Sequence, residues 1–351
     1  MTETYLITGG AGFIGTNLAN HYLAQKKRVI IFDNFSRRGS EENVRWLQSR
    51  YGTRLTVVNG DIRSATMDLL KQVDKAQVVF HLAAQVAVTT SVVNPREDFE
   101  INALGTFNVL EAVRLSSSRP IVIYSSTNKV YGQMTDLEVV ENGGRYSYRD
   151  LQQGVSESRA VDYHSPYGCS KGIGDQYVID YSRVYGLDTI VFRQSCIYGP
   201  HQFGIEDQGW IAWFAIRALQ HLPITIYGDG KQVRDVLYVD DLIAAYQAAL
   251  ERIARTAGQA YNIGGGHRNT LSLVELADYL ERELGYRTEL LFADWRPGDQ
   301  RIYISNIQKC NADFGWIPRF SPAEGIARLL DWLRKNEQLV MRFYNPSKVS
   351  A

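Results

Sequence analysis

The stretch "TYLITGGAGFIG", residues 4–15, decides the fold of this chain. A short run of apolar and β-branched residues passes directly into four closely spaced glycines, Gly9, Gly10, Gly12 and Gly15, and the amphipathic segment "FIGTNLANHYLAQ" continues from there. This pattern predicts a strand, a tight glycine turn and a helix. Bare backbone in such a turn lets a pyrophosphate approach, and the N–H groups of the first helical turn attract its charge. Because an ordinary glycine turn has the same spacing, the prediction of a dinucleotide site depends on residues further along the chain.

Strand-like and helical segments alternate as far as Tyr198. The runs "RVIIFD", "LTVVNGD", "VVFHLA", "IVIYSS" and "TIVFRQS" are almost continuously apolar, and amphipathic stretches separate them. Strands of this kind are covered on both faces, which predicts an α/β fold with a doubly wound parallel sheet of the Rossmann type. After Tyr198 the alternation loosens, and a smaller C-terminal α/β substrate lobe is expected.

The predicted domains interleave along the chain. We expect residues 1–199 to form the dinucleotide-binding Rossmann domain, with residues 234–264 returning to it. Residues 200–233 and 265–351 are expected to form the substrate lobe. No internal repeat or low-complexity linker divides the sequence, so the boundary near residue 199 is not sharp.

Composition argues against several classes of function. The 351 residues contain 38 Lys and Arg against 38 Asp and Glu without a local cluster of either sign, so neither nucleic acid nor an anionic membrane is an expected partner. No apolar run reaches the roughly 18 residues that a membrane span requires, and a strand-like run from Thr4 leaves no room for a leader. Cys169, Cys196 and Cys310 are too few and too widely spaced for a disulfide framework or a metal site. The sequence therefore predicts a cytoplasmic protein without a bound metal.

Two acidic residues at strand ends bear on the choice of dinucleotide. Asp33 ends "RVIIFD", 18 residues after Gly15, where a carboxylate can accept hydrogen bonds from both hydroxyls of an adenosine ribose and would repel a 2′-phosphate. This favours NAD, although Arg37 and Arg38 could instead accept that phosphate. Asp61, which ends "VVNGD", is either a further cofactor residue or the cap of the next helix.

The segment "SPYGCSKG" places Tyr167 and Lys171 four residues apart, and therefore on one face of a helix that Pro166 can begin. On its own, such a pair is most often a solvated surface pair. Here it joins the glycine turn and Thr127, the hydroxyl residue that ends "IVIYSST". A phenol has a pKa near about 10 in water, so Tyr167 could act as a base near neutrality if Lys171 and a nicotinamide cation lowered that pKa. Thr127 would then share a hydrogen bond with a substrate hydroxyl.

Together these motifs resemble the extended short-chain dehydrogenase/reductase family over nearly the whole chain. The matching features are the glycine turn at 8–15, Asp61, Asn102, Thr127, Tyr167, Lys171, "VYG" at 130–132, "GDGKQVRDVLYVDD" at 228–241 and "RPGDQR" at 296–301. The resemblance implies a non-dissociating NAD, a nucleotide-sugar substrate, and a homodimer or homotetramer formed through the helices that carry "INALGTFNVLEAVR" and "YGCSKGIGDQYVIDYSR". The predicted NAD-binding residues are Gly9, Gly12, Phe13, Ile14, Asp33, Asn34, Ser36, Arg37, Asp61, Ile62, Leu82, Ala83, Ala84, Gln85, Asn102, Ser125, Tyr167 and Lys171.

Asn128 and Lys129 directly follow the predicted catalytic threonine. Within this family, the nucleotide-sugar 4,6-dehydratases carry Asp and Glu at these two positions, because elimination of water needs an acid for the leaving hydroxyl and a base for the C5 proton. An asparagine cannot titrate and a lysine is normally cationic, so the elimination machinery is missing while the redox residues remain. Oxidation followed by reduction of the same sugar, which is epimerisation, is the expected chemistry. Asn128 and Lys129 either take a direct part in it or are ordinary neighbours of the site.

Four stretches, "SSTNKVYG", "DYHSPYGCSKG", "DQGWIAWF" and "GKQVRDVL", are similar to the CDP-paratose 2-epimerase (CDP-tyvelose 2-epimerase) branch of the family. This resemblance implies inversion of C2 in a CDP-linked hexose. The hexose is either a 3,6-dideoxyhexose or glucose, because inversion at C2 requires no particular group at C3 or C6. Two alternatives stay open: C4 epimerisation of a UDP-sugar, and a non-catalytic dinucleotide sensor, which would be expected to have lost Tyr167 or Lys171.

The substrate lobe is expected to grip the diphosphate firmly and the hexose loosely. Arg234, Arg296 and Arg301 are candidates for diphosphate binding, because a planar guanidinium matches phosphate oxygens. With the residues that the family pattern adds, the predicted substrate-binding set is Gln208, Gly209, Trp210, Thr225, Tyr227, Gln232, Arg234, Arg296, Asp299, Arg301 and Tyr303. Residues 133–166 form a polar stretch that either folds over the sugar or is a disordered surface loop.

Overall fold

The computed structural model describes residues 3–296 and 298–344. Residues 1–2 and 345–351, which the predicted domains include, and Pro297 of the "RPGDQR" motif lie outside this part. The strands are β1 Thr4–Thr8, β2 Arg28–Asp33, β3 Leu55–Asn59, β4 Val78–His81, β5 Ile121–Thr127, β6 Val139–Asn142, β7 Arg145–Tyr148, β8 Thr189–Gln194, β9 Ile197–Tyr198, β10 Ile224–Tyr227, β11 Val233–Asp235, β12 Leu237–Tyr238, β13 Gln259–Ile263, β14 Thr270–Ser272, β15 Leu290–Ala293 and β16 Ile302–Tyr303.

The helices differ widely in length. They are α1 Phe13–Ala24, α2 Ser40–Tyr51, α3 Thr66–Val73, α4 Val88–Val93, α5 Pro95–Phe99, α6 Gly105–Leu115, α7 Ser165–Tyr185, α8 Trp210–Leu219, α9 Val239–Glu251, α10 Ile253–Thr256, α11 Leu273–Leu284, α12 Gln308–Phe314, α13 Pro322–Lys335 and α14 Glu337–Tyr344, with 3₁₀ turns at Gly52–Arg54 and Asn128–Tyr131 and a π-helical turn at Glu100–Leu104. Over the described ranges, no helix has both the length and the apolar character needed to cross a bilayer.

Seven parallel strands form the central sheet in the order β3-β2-β1-β4-β5-β8-β13. Its strands are rich in β-branched residues, which favour extended backbone, and every residue of β8 is buried. The six strands predicted from the sequence and the doubly wound α/β fold are confirmed. β13 pairs with β8 and so brings part of the 234–264 segment to the sheet. The division of the chain into two domains stays a prediction.

Helices cover both faces of the sheet. Successive residues of a strand point to opposite faces, so Ile7 shares a buried cluster with Leu18 of α1, whereas Leu6 shares another with Val109 of α6 and Val178 of α7. α2 and α9 add to the first layer, and α3 adds to the second. Burial of apolar side chains in both layers stabilises the sheet by roughly 25 cal/mol per Å² removed from water.

The strand order reverses its direction at β1, since β2 and β3 lie on one side of it and β4 begins the other side. In open α/β sheets, ligands bind outside the carboxyl ends of the strands at such a switch point. Gly9 follows β1 and Ala83 follows β4, and their backbones approach each other closely there. The topology therefore places the glycine turn where a ligand site is expected.

The C-terminal lobe has its own core. α8, α11 and α13 pack around an apolar cluster that includes Phe214, Leu276 and Leu330. Two short sheets complete the lobe: β10 pairs with β15, and β11 lies between β14 and β16. β9, which follows the last residues of β8, pairs with β12. Strands from separate parts of the chain thus tie the lobe to the carboxyl edge of the central sheet.

A buried ion pair fixes α7 against the strand that ends at Thr127. Asp175 of α7 accepts two hydrogen bonds from Arg193 of β8, at 2.8 and 2.9 Å, and one from the Ser126 hydroxyl of β5 at 2.8 Å. Arg193 also donates to the Tyr131 hydroxyl at 3.0 Å. The side chains of Arg193 and Asp175 are 6% and 0% exposed, so each charge depends on the other for compensation. This network sets the separation between the end of β5 and the first turns of α7.

Candidate active site

A cavity of about 580 Å³ lies between the carboxyl edge of the sheet and the C-terminal lobe. Residues that follow β1 to β5, residues of α7 and residues of the lobe contribute to its wall. The predicted site residues that line it are Gly9, Gly12, Phe13, Ile14, Asp33, Asn34, Ser36, Arg37, Asp61, Ile62, Leu82, Ala83, Ala84, Ser125, Thr127, Tyr167, Lys171, Gln208, Gly209, Trp210, Thr225, Tyr227, Gln232, Arg234, Arg296 and Asp299. The fold therefore brings the predicted cofactor, catalytic and substrate residues to one space.

Four predicted residues, Gln85, Asn102, Arg301 and Tyr303, lie outside the cavity wall. The Gln85 N–H donates to Asn102 Oδ1, and Asn102 Nδ2 donates to the Gln85 carbonyl, both at 3.0 Å, so the Asn102 side chain and the Gln85 backbone satisfy each other. Tyr303 is fully buried and stacks on Tyr131. Arg301 is exposed to solvent. Two of these residues therefore brace the wall, one belongs to the core and one to the surface, and the contacts of all four with NAD or substrate stay predictions.

The glycine turn leaves its backbone open to the cavity. Gly9 has a φ of +68°, and a Cβ added there would lie 2.6 Å from the Ala83 nitrogen, so a larger residue does not fit. α1 begins at Phe13, and its N-cap residue is Gly12, which has no side chain to cap the helix. The N–H groups of the first turn can therefore bind an anion. The turn and the helix N-terminus therefore fit the pyrophosphate of NAD.

Asp33, predicted to meet the adenosine ribose, is held by backbone. Its two carboxylate oxygens accept hydrogen bonds from the N–H groups of Ala11 at 3.0 Å and Phe35 at 2.8 Å. Burial raises the pKa of Asp33, and the two backbone donors oppose that rise. Arg37, the alternative partner for a 2′-phosphate, donates instead to the side chain of Gln208 in the lobe. The residues present fit the unphosphorylated ribose of NAD.

Asp61 is neither a free carboxylate nor a helix cap. Arg63 binds it through a fork of two hydrogen bonds, at 3.0 and 2.7 Å, and Asn34 donates to it at 3.0 Å. The Arg63 side chain lowers the pKa of Asp61 to about 2. α3 begins only at Thr66, so the carboxylate does not cap that helix. Asp61 lines the cavity with its charge already paired, an arrangement that the sequence did not predict.

Thr127, Tyr167 and Lys171, here called the redox trio, meet at the carboxyl end of β5. The side chains of Thr127 and Tyr167 both line the cavity here. The Thr127 hydroxyl accepts a hydrogen bond from the Lys129 N–H at 3.2 Å and donates one to Asn128 Oδ1 at 3.4 Å. Lys171 Nζ donates to the Ser125 carbonyl at 2.6 Å and lies 4.2 Å above the ring of Tyr124. The three residues are 6%, 7% and 3% exposed, so a substrate hydroxyl that reaches them leaves bulk water.

The pKa values of the redox trio differ from the prediction. Burial raises the pKa of Tyr167 to about 12, although the nearby Thr127 hydroxyl opposes the rise. Burial also lowers the pKa of Lys171 to about 7, against the attraction of Asp175. The Lys171 ammonium donates its hydrogen bond to the Ser125 carbonyl and not to the Tyr167 hydroxyl. The predicted lowering of the phenol pKa by Lys171 is therefore not seen in the chain by itself.

Two of the three predicted arginines reach the cavity from the lobe. Arg234 of β11 donates to the Asp299 carboxylate and to the Gln300 carbonyl, both at 2.6 Å. The Arg296 guanidinium lies 3.8 Å above the ring of Tyr227, a cation–π arrangement that fixes its plane. Both cations are thus oriented by the protein before a diphosphate binds, which reduces the side-chain entropy lost on binding.

The remaining lobe residues form the far part of the wall. Gln232 Nε2 donates to the Tyr227 carbonyl at 2.6 Å, while its buried Oε1 has no partner among the described residues. Trp210 Nε1 donates to Cys196 Sγ at 3.4 Å. This part of the cavity therefore offers an aromatic surface together with one open hydrogen-bond acceptor.

Part of the cavity wall is formed by residues that the sequence did not predict. The cavity is also lined by Cys196, His201, Gln202, Phe203 and Glu206, most of them on the loop between β9 and α8. An irregular loop has no hydrophobic periodicity to reveal which side chains face inward, and only the position of Cys196 just after β8 was a usable signal. Asn128 and Lys129, for which the sequence leaves two roles open, line the cavity too.

The polar stretch at 133–166 is ordered and packs on the lobe. It contains the β6–β7 hairpin, and the Tyr148 hydroxyl donates to the Ile302 carbonyl at 3.0 Å. The Tyr146 N–H donates to the Lys231 carbonyl at 3.1 Å. None of residues 133–166, all of which the structure describes, lines the cavity. Both expectations for this stretch, a cover over the sugar and a disordered loop, are therefore wrong.

The sequence of this chain matches a known protein family. The model of the NAD dependent epimerase/dehydratase family matches residues 5–264. The chain belongs to this family. The matched range contains the glycine turn, Asp33 and the whole redox trio. NAD is therefore the cofactor of this protein.

Members of the NAD dependent epimerase/dehydratase family resemble the chain over nearly their full length. CDP-paratose 2-epimerase of Salmonella typhi is 45% identical over 334 residues, which cover 93% of this chain and 98% of that protein. The crystal structure of UDP-glucose 4-epimerase from Thermotoga maritima with UDP-glucose matches at a TM-score of 0.81 and 30% identity, covering 95% of this chain and 99% of that one. DesIV, the dTDP-glucose 4,6-dehydratase from Streptomyces venezuelae solved with NAD and TYD, matches at 0.82 and 29%, covering 96% and 98%. The protein is an NAD-dependent enzyme of the isomerase class.

We predict that Gly9→Ala depletes bound NAD. The added methyl group would lie 2.6 Å from the Ala83 nitrogen, so the turn must move out of the position that admits a pyrophosphate. Nucleotide released from the purified, denatured protein should fall to a small fraction of the wild-type amount. Gly315→Ala is the matched control, because Gly315 has a φ of +70° with nothing within 4 Å of its Cβ position. Both variants carry the left-handed penalty of about 1–2 kcal/mol, and equal NAD content in the two would contradict the assignment.

Proposed function

We propose that this protein inverts C2 of a CDP-linked hexose, converting CDP-paratose to CDP-tyvelose or CDP-glucose to CDP-mannose, while it retains NAD. The observation that carries the proposal is an intact redox trio beside Asn128 and Lys129 in the cavity wall, where elimination would require one acid and one base. The 45% identity to the Salmonella typhi CDP-paratose 2-epimerase supports the choice of nucleotide and of carbon.

Tyr167 accounts for the proton transfers in both half-reactions, and Thr127 holds the reacting oxygen. In the first, Tyr167 takes the proton of the C2 hydroxyl, Thr127 holds that oxygen by a hydrogen bond, and the hydrogen on C2 leaves as hydride, so that C2 becomes a ketone. NAD, when bound, supplies the hydride acceptor and a positive charge that favours the phenolate. In the second, the ketone presents its opposite face, the hydride returns to C2, and Tyr167 gives its proton back to the oxygen. No external oxidant or reductant is consumed.

The turning of the ketone requires a substrate that is held at one end only. Arg234 and Arg296 are fixed by Asp299 and by the Tyr227 ring, which suits them to hold the diphosphate while the hexose moves. Lys171 contacts the Ser125 carbonyl and is suited to anchor the nicotinamide ribose. Release of the intermediate would be slow because the nucleotide stays bound through both half-reactions.

C4 epimerisation of a UDP-sugar is the second candidate function. The structural similarity to the Thermotoga maritima UDP-glucose 4-epimerase favours it, and the same redox trio would serve. A dinucleotide sensor without activity is disfavoured by the intact Tyr167 and Lys171. A panel of CDP-, UDP- and GDP-hexoses, followed by NMR at the anomeric proton, separates these functions.

We predict that deuterium at C2 of CDP-glucose stays with the substrate through the reaction. The hydride leaves C2 and returns to the same carbon, so the label should be found at C2 of both CDP-glucose and CDP-mannose, without added NAD. NMR of the product mixture measures this. Loss of the label to water would contradict the proposed mechanism, and activity with UDP-glucose at C4 but none with CDP-sugars would favour the second candidate.

We predict that Tyr167→Phe lowers turnover by about 10² to 10⁴, the usual worth of general acid–base catalysis. Tyr163→Phe is the matched control, because the buried Tyr163 hydroxyl has no hydrogen-bond partner among the described residues. The control should turn over near the wild-type rate in the same NMR assay. Near-normal activity of Tyr167→Phe would exclude this residue as the base.

We further propose that the protein self-associates through α6 and α7. Phe107, Tyr177 and Val184 are 40%, 45% and 59% exposed on these helices, which is unusual for side chains of this size. The rings of Phe107 and Tyr177 pack edge to face at 6.1 Å and so form one continuous apolar surface. Contiguous exposed apolar patches mark interaction sites on soluble proteins.

We predict that Phe107→Asp shifts the protein from an oligomer towards the monomer in light scattering after size exclusion. A charge in a buried interface lacks a partner there, and burial of each phenylalanine is worth roughly 1.5–3 kcal/mol. Ile317→Asp, at a residue 55% exposed elsewhere on the chain, is the control and should keep the wild-type mass. An unchanged mass for Phe107→Asp would refute this interface.

A further inference from the structure

Lys129 lies between the redox trio and the arginine of β11. Its backbone N–H donates to Thr127 Oγ1 at 3.2 Å, its side chain lines the cavity, and its Nζ donates to Gln300 Oε1 at 3.4 Å. The Gln300 carbonyl accepts from Arg234 at 2.6 Å. A lysine from the end of β5 and an arginine from the lobe therefore converge on one residue at the same side of the cavity.

The charge of Lys129 is poorly compensated by the protein. Arg234 is paired with Asp299 at 2.6 Å and Arg296 with Asp207 at 3.0 Å, whereas the polar partner of Lys129 in the described chain is the Gln300 amide. Burial and the nearby charge of Arg234 lower the pKa of Lys129 to about 8. A partly buried ammonium is costly without an anion. The geometry and the charge balance both suit an anionic ligand at this point.

We propose that Lys129 binds the β-phosphate of the nucleotide sugar together with Arg234, and thereby places C2 of the hexose at the redox trio. This inference rests on the proposed function. The β-phosphate is attached to C1, so C2 is the neighbouring carbon, whereas C4 lies across the ring. Because Lys129 is two residues from Thr127, a phosphate held by it lies close to the reacting hydroxyls and brings the near carbon, C2, to them. Lys129 is thus a positioning residue for the choice of carbon.

Binding of CDP and of CMP to the NAD-loaded protein tests this proposal, because CMP lacks the β-phosphate. Lys129→Met removes the charge but keeps an unbranched side chain, and should weaken CDP binding about 10- to 100-fold, the usual range for a hydrogen bond to a charged group. CMP affinity should stay nearly unchanged. The matched control is Lys231→Met, since Lys231 pairs with Glu141 at the exposed surface of the protein and should affect neither nucleotide.

The pH dependence of CDP binding gives a second measurement that does not depend on a variant. Lys129 binds phosphate as the cation, so wild-type affinity for CDP should fall as pH rises from about 7 to 9, through the lysine pKa and above the ionisation of phosphate near 6. Arg234, Asp299 and Cys196 are the charged or titratable groups that face Lys129. Lys129→Arg stays cationic throughout, so its CDP affinity should be flat over this range. The difference between the two profiles isolates Lys129 from its neighbours.

The outcomes separate this inference from the proposed function. Weaker CDP binding with unchanged CMP binding supports the role of Lys129. Equal weakening of both, or no change for CDP, overturns it, as does a wild-type CDP affinity that is independent of pH. If the wild-type protein binds UDP and UMP but not the cytidine nucleotides, the nucleobase of the proposed function is wrong, and the same criteria apply to Lys129 with that pair. Thermal unfolding and NAD content establish that each variant is folded.

Discussion

The arrangement of the redox trio depends on the burial of one ion pair, Arg193 with Asp175, beneath the carboxyl end of β5. Breaking such a pair by removing one partner typically costs about 3–5 kcal/mol, because the other charge is left uncompensated. Asp175 lies one helical turn beyond Lys171, and its carboxylate also binds Ser126, the neighbour of Thr127. One carboxylate therefore holds both the helix that carries the lysine and the strand that carries the threonine. A contact that stabilises the sheet also sets the spacing on which the proposed proton transfer depends.

Charged side chains at both ends of the cavity are held in place by hydrogen-bond partners within the protein. Asp33 is fixed by two backbone donors, Asp61 by the fork of Arg63, and Arg234 by Asp299. These three charged groups have their partners before a ligand arrives, so little of their side-chain freedom is lost on binding. Such a site can hold a dinucleotide at one end and a diphosphate at the other while the group between them changes its orientation, which is what epimerisation requires.

The sequence predicted the parts of the site that depend on short-range spacing. The glycine turn lies within one strand-turn-helix unit, and Tyr167 and Lys171 share one helical face, so no tertiary information was needed. Arg301 ends the "RPGDQR" motif and Tyr303 follows two residues later, and only the packing of the aromatic core beside β16 decides that Tyr303 is buried and Arg301 exposed. The stretch at 133–166 is polar by composition, yet its tyrosines pack on strands that are distant in sequence. Burial, which raises the pKa of Tyr167, cannot be read from the sequence either.

The hydrogen bond from Arg37 to Gln208 crosses from the loop after β2 to the loop before α8. One of these loops follows a strand of the central sheet and the other leads into the lobe, so the two walls at the Asp33 end separate only when this bond breaks. A coenzyme held between them would leave only when the two loops part, on a timescale of microseconds or longer, and not with the faster flips of single side chains.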